Sequence, residues 1–381
     1  MTVEEIIAAA SAQTGLTNIG DPAMLEGLGI LLKSYAEEAN LSERGSQIAH
    51  GAVIATVANR MRVEDWIKQH PEVLEKPVEK PMFVFGLPRT GTTLTINLLA
   101  SDPARRCFLR WEAFDTVPPP SPAELHAGPR YEKAQAQIEF SLKHMPHISA
   151  IHHEEGDSPT ECQFSMSPSF CAQVYDSQFA MPSYHDWFLY KADYRPAFRY
   201  QKRLFQVLQS AAPGRWTLKN PWHPLFLDAL TEIYPDAQLV MTHRDPVEVV
   251  GSACSLLKAV RPIYSDAVDN REIGRVLLET FDVMIERQNA FRASRGEDAI
   301  FDIQYAEQMR DPIGQMEKLY ARFDEPFTPQ ARTAMEKMLA DNPKGKHGKH
   351  EYDLADYGLT KEEVRARYKD YVEKFAIPTK D

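Results

Sequence analysis

The sequence lacks the features that commit a chain to a membrane, an extracellular disulfide framework or a polyanionic partner. No uninterrupted apolar run is long enough to cross a bilayer. The first residues, with Glu4 and Glu5, carry no basic stretch ahead of an apolar core, so no secretory leader is expected and a cytoplasmic setting is. Cysteine is scarce: Cys107, Cys162, Cys171 and Cys254 show no C-x-x-C spacing, which suggests neither a zinc site nor a disulfide framework, only reduced core thiols. Basic charge is also short, because 43 Lys and Arg stand against 54 Asp and Glu, a net charge of −11. That sign argues against general nucleic-acid or anionic-membrane binding, and any anionic ligand has to meet a local basic pocket. Internal repeats and low-complexity tracts are absent, and Pro118-Pro119-Pro120-Ser121-Pro122 is the one stiff connector.

Apolar residues make up 43% of the 381 positions, ample for a sizeable core. Residues 2 to about 76 carry helical patterns, opened by a capping box at Thr2 and Glu5, by Asp21-Pro22 and by a third run from Glu43 to His70. The next stretch, Phe83-Val84-Phe85-Gly86-Leu87-Pro88-Arg89-Thr90-Gly91-Thr92-Thr93-Leu94, is an apolar run that breaks into a glycine-bearing turn and resumes as a helical pattern to Ala100. A strand, an anion-binding loop and a helix N-terminus follow from it. Glycines let successive N–H groups turn inward, and the helix dipole adds positive potential at the same place. The Gly86 to Gly91 spacing matches the nucleoside-triphosphate loop G-x-x-x-x-G-K-[ST], but Thr92 stands where that loop needs lysine. Arg89 supplies the charge instead, as a planar fork suited to phosphate oxygens.

Two further blocks follow the same grammar. Arg215 to Lys219 is a strand, with a helix from Leu225 to Tyr234 and a strand from Gln238 to Thr242 after it, so Lys219 ends a strand where an α/β sheet places its ligand crevice. Arg244-Asp245-Pro246 then leaves the second strand. The aspartate caps a helix, proline fixes its first turn, and Ser252 lies just over two turns along. Later come a long helix from Arg271 to Arg295, a strand at Ile300 to Tyr305, and the basic run Lys344-Gly345-Lys346-His347-Gly348-Lys349-His350.

These blocks resemble the sulfotransferase family over about residues 82 to 350. Pro88-Arg89-Thr90-Gly91-Thr92-Thr93 fits its P-[RK]-[ST]-G-[ST]-[ST] loop for the 5′-phosphosulfate of PAPS (3′-phosphoadenosine 5′-phosphosulfate), most like the bacterial and tyrosylprotein-type branch, and Arg244 to Ser252 fits its 3′-phosphate motif. The resemblance implies PAPS as donor, with Arg89, Thr90, Gly91, Thr92, Thr93, Arg244, Ser252, Tyr305 and Lys346 holding it. It implies an α/β fold with a mainly parallel central sheet, a P-loop-like phosphate-binding loop and helices on both faces across residues 81–381, behind a helical N-terminal extension at 1–80. The activity implied is sulfuryl transfer to a hydroxyl of a small-molecule acceptor, without a metal. Glu112, which follows Pro103, corresponds to that branch's general base. Lys219 matches the family's lysine, and His223 stands four residues beyond it where the family has a histidine two residues on.

The acceptor side is open to more than one reading. His144, His147, His152, His153, Glu154, Glu155, Asp157 and Glu161 crowd one short region, whose spacing fits no standard zinc motif and which offers His153 as a reserve base beside Glu112 and His223. Residues 162 to 200 are dense in aromatics, including Phe164, Tyr175, Trp187, Phe188 and Tyr200, and these either line an apolar acceptor pocket or belong to the core. A P-loop kinase or ATPase and a noncatalytic nucleotide-binding protein are the alternative functions, and the missing loop lysine counts against the first. Oligomeric state leaves no trace in the sequence.

Overall fold

The computed structural model of the chain describes residues 1–144, 154–343 and 352–379. His153 and Lys346, with the whole of the basic run 344–350, lie outside the described residues.

Among the described residues, five strands form one sheet: β1 (Met82–Gly86), β2 (Arg105–Cys107), β3 (Arg215–Lys219), β4 (Gln238–His243) and β5 (Phe301–Gln304). Their order is β2-β3-β1-β4-β5, and every pairing is parallel. β1 has no polar face because both of its faces are covered, as parallel sheets require. Phe83 and Phe85 join one apolar cluster with Leu204, Phe205, Val249, Val250 and Phe281, whereas Met82 and Val84 join a second with Leu98, Leu99, Met316, Leu319 and Met335. Strand alternation thus sends successive β1 side chains into two helical layers. The register aligns Val84 with Lys219 on one side and Gly86 with Thr242 on the other. After β3 the chain crosses β1 to reach β4, so β1 marks the reversal of strand order, and its carboxyl end is where such a sheet opens a crevice.

The N-terminal helices are Val3–Thr14, Met24–Glu37 and Glu43–Gln69. Thr2 and Glu5 form the expected capping box. The second helix starts later than Asp21-Pro22 because the Asp21 carboxylate accepts from Ala23 N–H at 3.0 Å and holds a turn there first. Ile6, Leu28, Leu31, Val53, Val57 and Met61 from these helices share the apolar cluster of Phe83 and Phe85. Buried Arg60 ties the third helix to the rest by donating to the carbonyls of Ile19 at 2.6 Å and Pro168 at 3.1 Å.

Candidate active site

The loop after β1 owes its shape to three backbone positions. A Cβ at Gly86 would meet the Thr242 carbonyl oxygen at 2.4 Å. Gly91 caps the helix Thr92–Ala100 with φ 104°, and a Cβ there would meet Gln308 Oε1 and the Tyr305 ring, each at 2.9 Å. Between them Arg89 is held at φ 70°, a left-handed conformation that costs a non-glycine residue about 1 kcal/mol or more and that collects at functional sites. Thr90 braces this turn from behind: its buried hydroxyl donates to Leu87 O at 2.6 Å and lies 2.6 Å from Thr242 Oγ1. Its side chain is therefore spent inside the loop, unlike Thr92 and Thr93, which line the cleft.

β4 delivers the second basic group. Asp245 caps the helix Pro246–Val260 by accepting from Val247 N–H. Arg244 donates to Arg89 O at 3.0 Å and to Glu248 at 2.7 Å, and its guanidinium lies 4.4 Å over the Tyr305 ring. Arg89 Nε donates to Ser252 Oγ at 3.1 Å. Arg89, Arg244, Ser252 and Tyr305 thus form one connected group. Burial, and then the adjacent Arg244, pull the Arg89 pKa below its ordinary value, while Tyr305 and Glu161 act the other way. Two guanidiniums crowded together beside a helix N-terminus are a donor set for anions, and the residues present fit a ligand with two separate phosphate groups.

Across the cleft, Lys219 at the end of β3 is 1% exposed and donates to Glu161 Oε1 at 2.9 Å. Glu161 lines the same cavity as Arg89 and Arg244, a space of about 670 Å³. Its other neighbours are Gln163, whose amide donates to the second carboxylate oxygen, and the ion pair of Arg110 with Glu154. The apolar wall is Phe164, Val174, Trp222, Leu257, Val260 and Ile263. Leu94, Tyr305, Met309, Pro312 and Leu339 add further apolar lining. Among the described residues no group of three or more side chains could hold a metal ion.

Two residues that the sequence put forward as the base, Glu112 and His223, lie away from this cavity. Glu112 does not reach the cleft: the 3₁₀ turn Trp111–Ala113 folds it inward, fully buried, where Arg106 grips both carboxylate oxygens and Leu109 N–H donates to one of them at 3.0 Å. Nor does His223 face the cleft. Packed among Phe83, Phe198 and Phe226 with both ring nitrogens unpartnered among the described residues, it has its pKa pushed down to about 3 by burial. Its extra displacement beyond Lys219 moves it out of the cleft and into the apolar layer. The aromatic run is also mostly core, since Phe170, Tyr175, Trp187, Phe188 and Tyr200 are buried there and Phe164 alone of these lines the cavity.

Sequence reasoning passed over the wall that the helix Pro246–Val260 supplies. The signal was present, because Ser252, Leu256 and Val260 recur every four residues and so share one helix face. Ser252, which accepts from Arg89, therefore stands in line with the apolar side chains that continue along the same face. Glu161 was in view, but only as one member of an acidic and histidine-rich crowd.

A family model described as the sulfotransferase family matches residues 81–329. Sulfotransferase STF9 from Mycobacterium avium superposes with a TM-score of 0.92 at 33% identity, covering 99% of this chain and 97% of that one. Sulfotransferase STF1 from Mycobacterium tuberculosis H37Rv gives 0.87 at 32% identity, covering 97% and 99%. A curated relative, omega-hydroxy-beta-dihydromenaquinone-9 sulfotransferase Stf3 of Mycobacterium bovis, is 24% identical over 315 residues, 75% of this chain and 71% of its own length.

Proposed function

The chain belongs to the sulfotransferase family, and from that premise we propose that it moves a sulfuryl group from PAPS to a hydroxyl of a small, largely apolar or aromatic acceptor in a cytoplasmic setting. The observation that carries this reading is that one cavity joins the paired Arg89 and Arg244 to the carboxylate of Glu161 and an apolar wall. PAPS, when bound, supplies the activated sulfuryl group and an adenosine 3′,5′-bisphosphate leaving group.

The chain's own part divides by element. Backbone N–H groups of the loop, with Arg89, Thr92 and Thr93, hold the 5′ side, while Arg244 and Ser252 hold the 3′-phosphate and Tyr305 flanks the base. Glu161 accepts the proton from the acceptor hydroxyl, because it is the carboxylate that both faces the cavity and lies within reach of the loop arginine's field. Lys219 fixes that carboxylate at 2.9 Å and contributes positive charge where negative charge develops. Thr92 in place of the loop lysine speaks against nucleoside-triphosphate chemistry. Support for the apolar acceptor comes from Phe164, Trp222, Leu257 and Val260, and from a curated relative whose name specifies an omega-hydroxy lipid quinone. The four cysteines, all buried and unpaired, accord with the cytoplasmic setting.

Purified protein incubated with PAPS and separate pools of phenols, sterols, aliphatic alcohols and acidic glycans tests the reading. Release of adenosine 3′,5′-bisphosphate with the apolar pools is expected. Turnover with acidic glycans alone would overturn the acceptor class, and release of phosphate from ATP in place of any sulfuryl transfer would overturn the reaction.

A further inference from the structure

Arg110 enters the cavity on the acceptor side, and the structure gives it a fixed posture with unused hydrogen-bonding capacity. Its backbone is zipped to the opposite segment: Arg110 N–H donates to Ser158 O at 3.0 Å, Trp111 N–H donates to Gly156 O at 2.9 Å, and Leu109 bridges Pro159. The guanidinium lies 4.7 Å from the Phe114 ring centre and 4.5 Å from that of Phe164, and Nε faces Glu154 at 3.5 Å. Two ring faces and one carboxylate leave little rotational freedom.

A guanidinium carries five N–H donors. Among the described residues, Arg110 makes this one ion pair and no hydrogen bond through its terminal nitrogens, although its side chain is only 26% exposed. A solvated surface arginine would not need such immobilisation. Tyr264, whose hydroxyl also has no hydrogen-bond partner among the described residues, lines the same cavity. Burial drives the Tyr264 pKa up, and the positive charge of Arg110 opposes the rise. Neither group is needed for proton removal by Glu161 or for holding phosphate, which lies at the loop. Phe164, Val260 and Ile263 line the same cavity.

We propose that the acceptor is bifunctional: an apolar or aromatic body that carries, away from its reacting hydroxyl, a second oxygen that accepts hydrogen bonds from Arg110 and Tyr264. This deepens the sulfuryl-transfer reading and rests on it. The shared chemistry of that second group is a carbonyl or carboxylate oxygen. Glu154 beside Arg110 offsets its positive charge, so a neutral carbonyl is accommodated as well as an anion. A plain alkyl chain at the same place leaves the donors unpaired once water is expelled, and that penalty is the source of discrimination.

The test compares two matched acceptor series with PAPS: para-alkylphenols, and para-hydroxyphenyl alkanoates of varied chain length as methyl esters and as free acids. The wild-type protein is expected to favour the best ester or acid over the alkylphenol of equal length by about tenfold or more in kcat/KM, chiefly through KM. In Arg110→Met that preference should collapse toward unity, and Arg110→Lys, which keeps the charge but not the fork, should not restore it in full. The free acids separate a charge requirement from a carbonyl requirement. Equal kcat/KM for both series in the wild-type protein would overturn the proposal without recourse to any variant, and so would a preference that survives Arg110→Met. Titration with adenosine 3′,5′-bisphosphate reports folding of each variant and separates the two levels of the account. Absent binding in the wild-type protein defeats the sulfuryl-transfer reading, whereas binding with turnover indifferent to the second oxygen defeats only the bifunctional acceptor.

Discussion

Two glutamates separate by burial and partner. Glu112 is locked between Arg106 and the Leu109 amide inside the protein, and Glu161 is exposed to the cavity beside Lys219. Glu161→Gln is therefore expected to lower kcat by about a hundredfold or more with bisphosphate affinity retained, as loss of a base does. Glu112→Gln should instead lower the melting temperature, because it leaves buried Arg106 without its charge partner. Steady-state kinetics beside thermal melts checks both, and reversed outcomes would restore Glu112 as the base. His223 gives a pH signature. Its folded pKa of about 3 lies below the ordinary histidine value of 6.5, so between these values the unfolded chain binds the extra proton and stability falls as pH drops. Above that window the residue contributes no pH dependence. Denaturant melts across it should show a shallower loss in His223→Leu than in the parent, and an identical slope in both would refute the assignment.

At the scale of elements, the helix Pro246–Val260 does two jobs with one face: Ser252 accepts from Arg89, and Leu256 and Val260 continue as apolar lining of the cavity. The helix Pro182–Tyr190 does neither, since its Trp187 and Phe188 are buried core, with Trp187 Nε1 donating to Glu26 at 3.1 Å. Leu256→Ala should raise the acceptor KM about five- to thirtyfold, the equivalent of roughly 1–2 kcal/mol of lost apolar contact, with a small change in stability. Trp187→Ala should cost about 3–5 kcal/mol of stability. Melting curves and acceptor titrations on both variants decide the matter, and a raised KM in Trp187→Ala without thermal loss would return the aromatic run to the pocket. The phosphate loop, the Arg244–Ser252 block and the strand ending at Lys219 were legible because each couples a local backbone shape to a charged side chain at fixed spacing. The apolar lining of the cavity and the proposed base, Glu161, were not, since they depend on which side chains two distant segments present to each other. Aromatic density marks apolar surface without saying whether a cavity or another helix covers it. The acidic crowd near Glu161 likewise gains meaning only when the Glu161–Lys219 bridge brings it against β3.

In a chain of net charge −11, Arg89, Arg110 and Arg244 gather around the candidate cavity. Its parallel sheet places the carboxyl ends of β1, β3 and β4 side by side, so that the loop arginine, Lys219 and Arg244 converge although they lie far apart in sequence. Among the described residues no helix is long and apolar enough to cross a membrane. Convergence of two anion-binding groups at that sheet edge is the central claim, and calorimetric titration of the intact chain with adenosine 3′,5′-bisphosphate measures it most directly. The account predicts one saturable site at least about tenfold tighter than for ATP with magnesium, weakened by about tenfold or more in Arg244→Ala. Equal or tighter binding of ATP with magnesium, or affinity for the bisphosphate unchanged in Arg244→Ala, would contradict it.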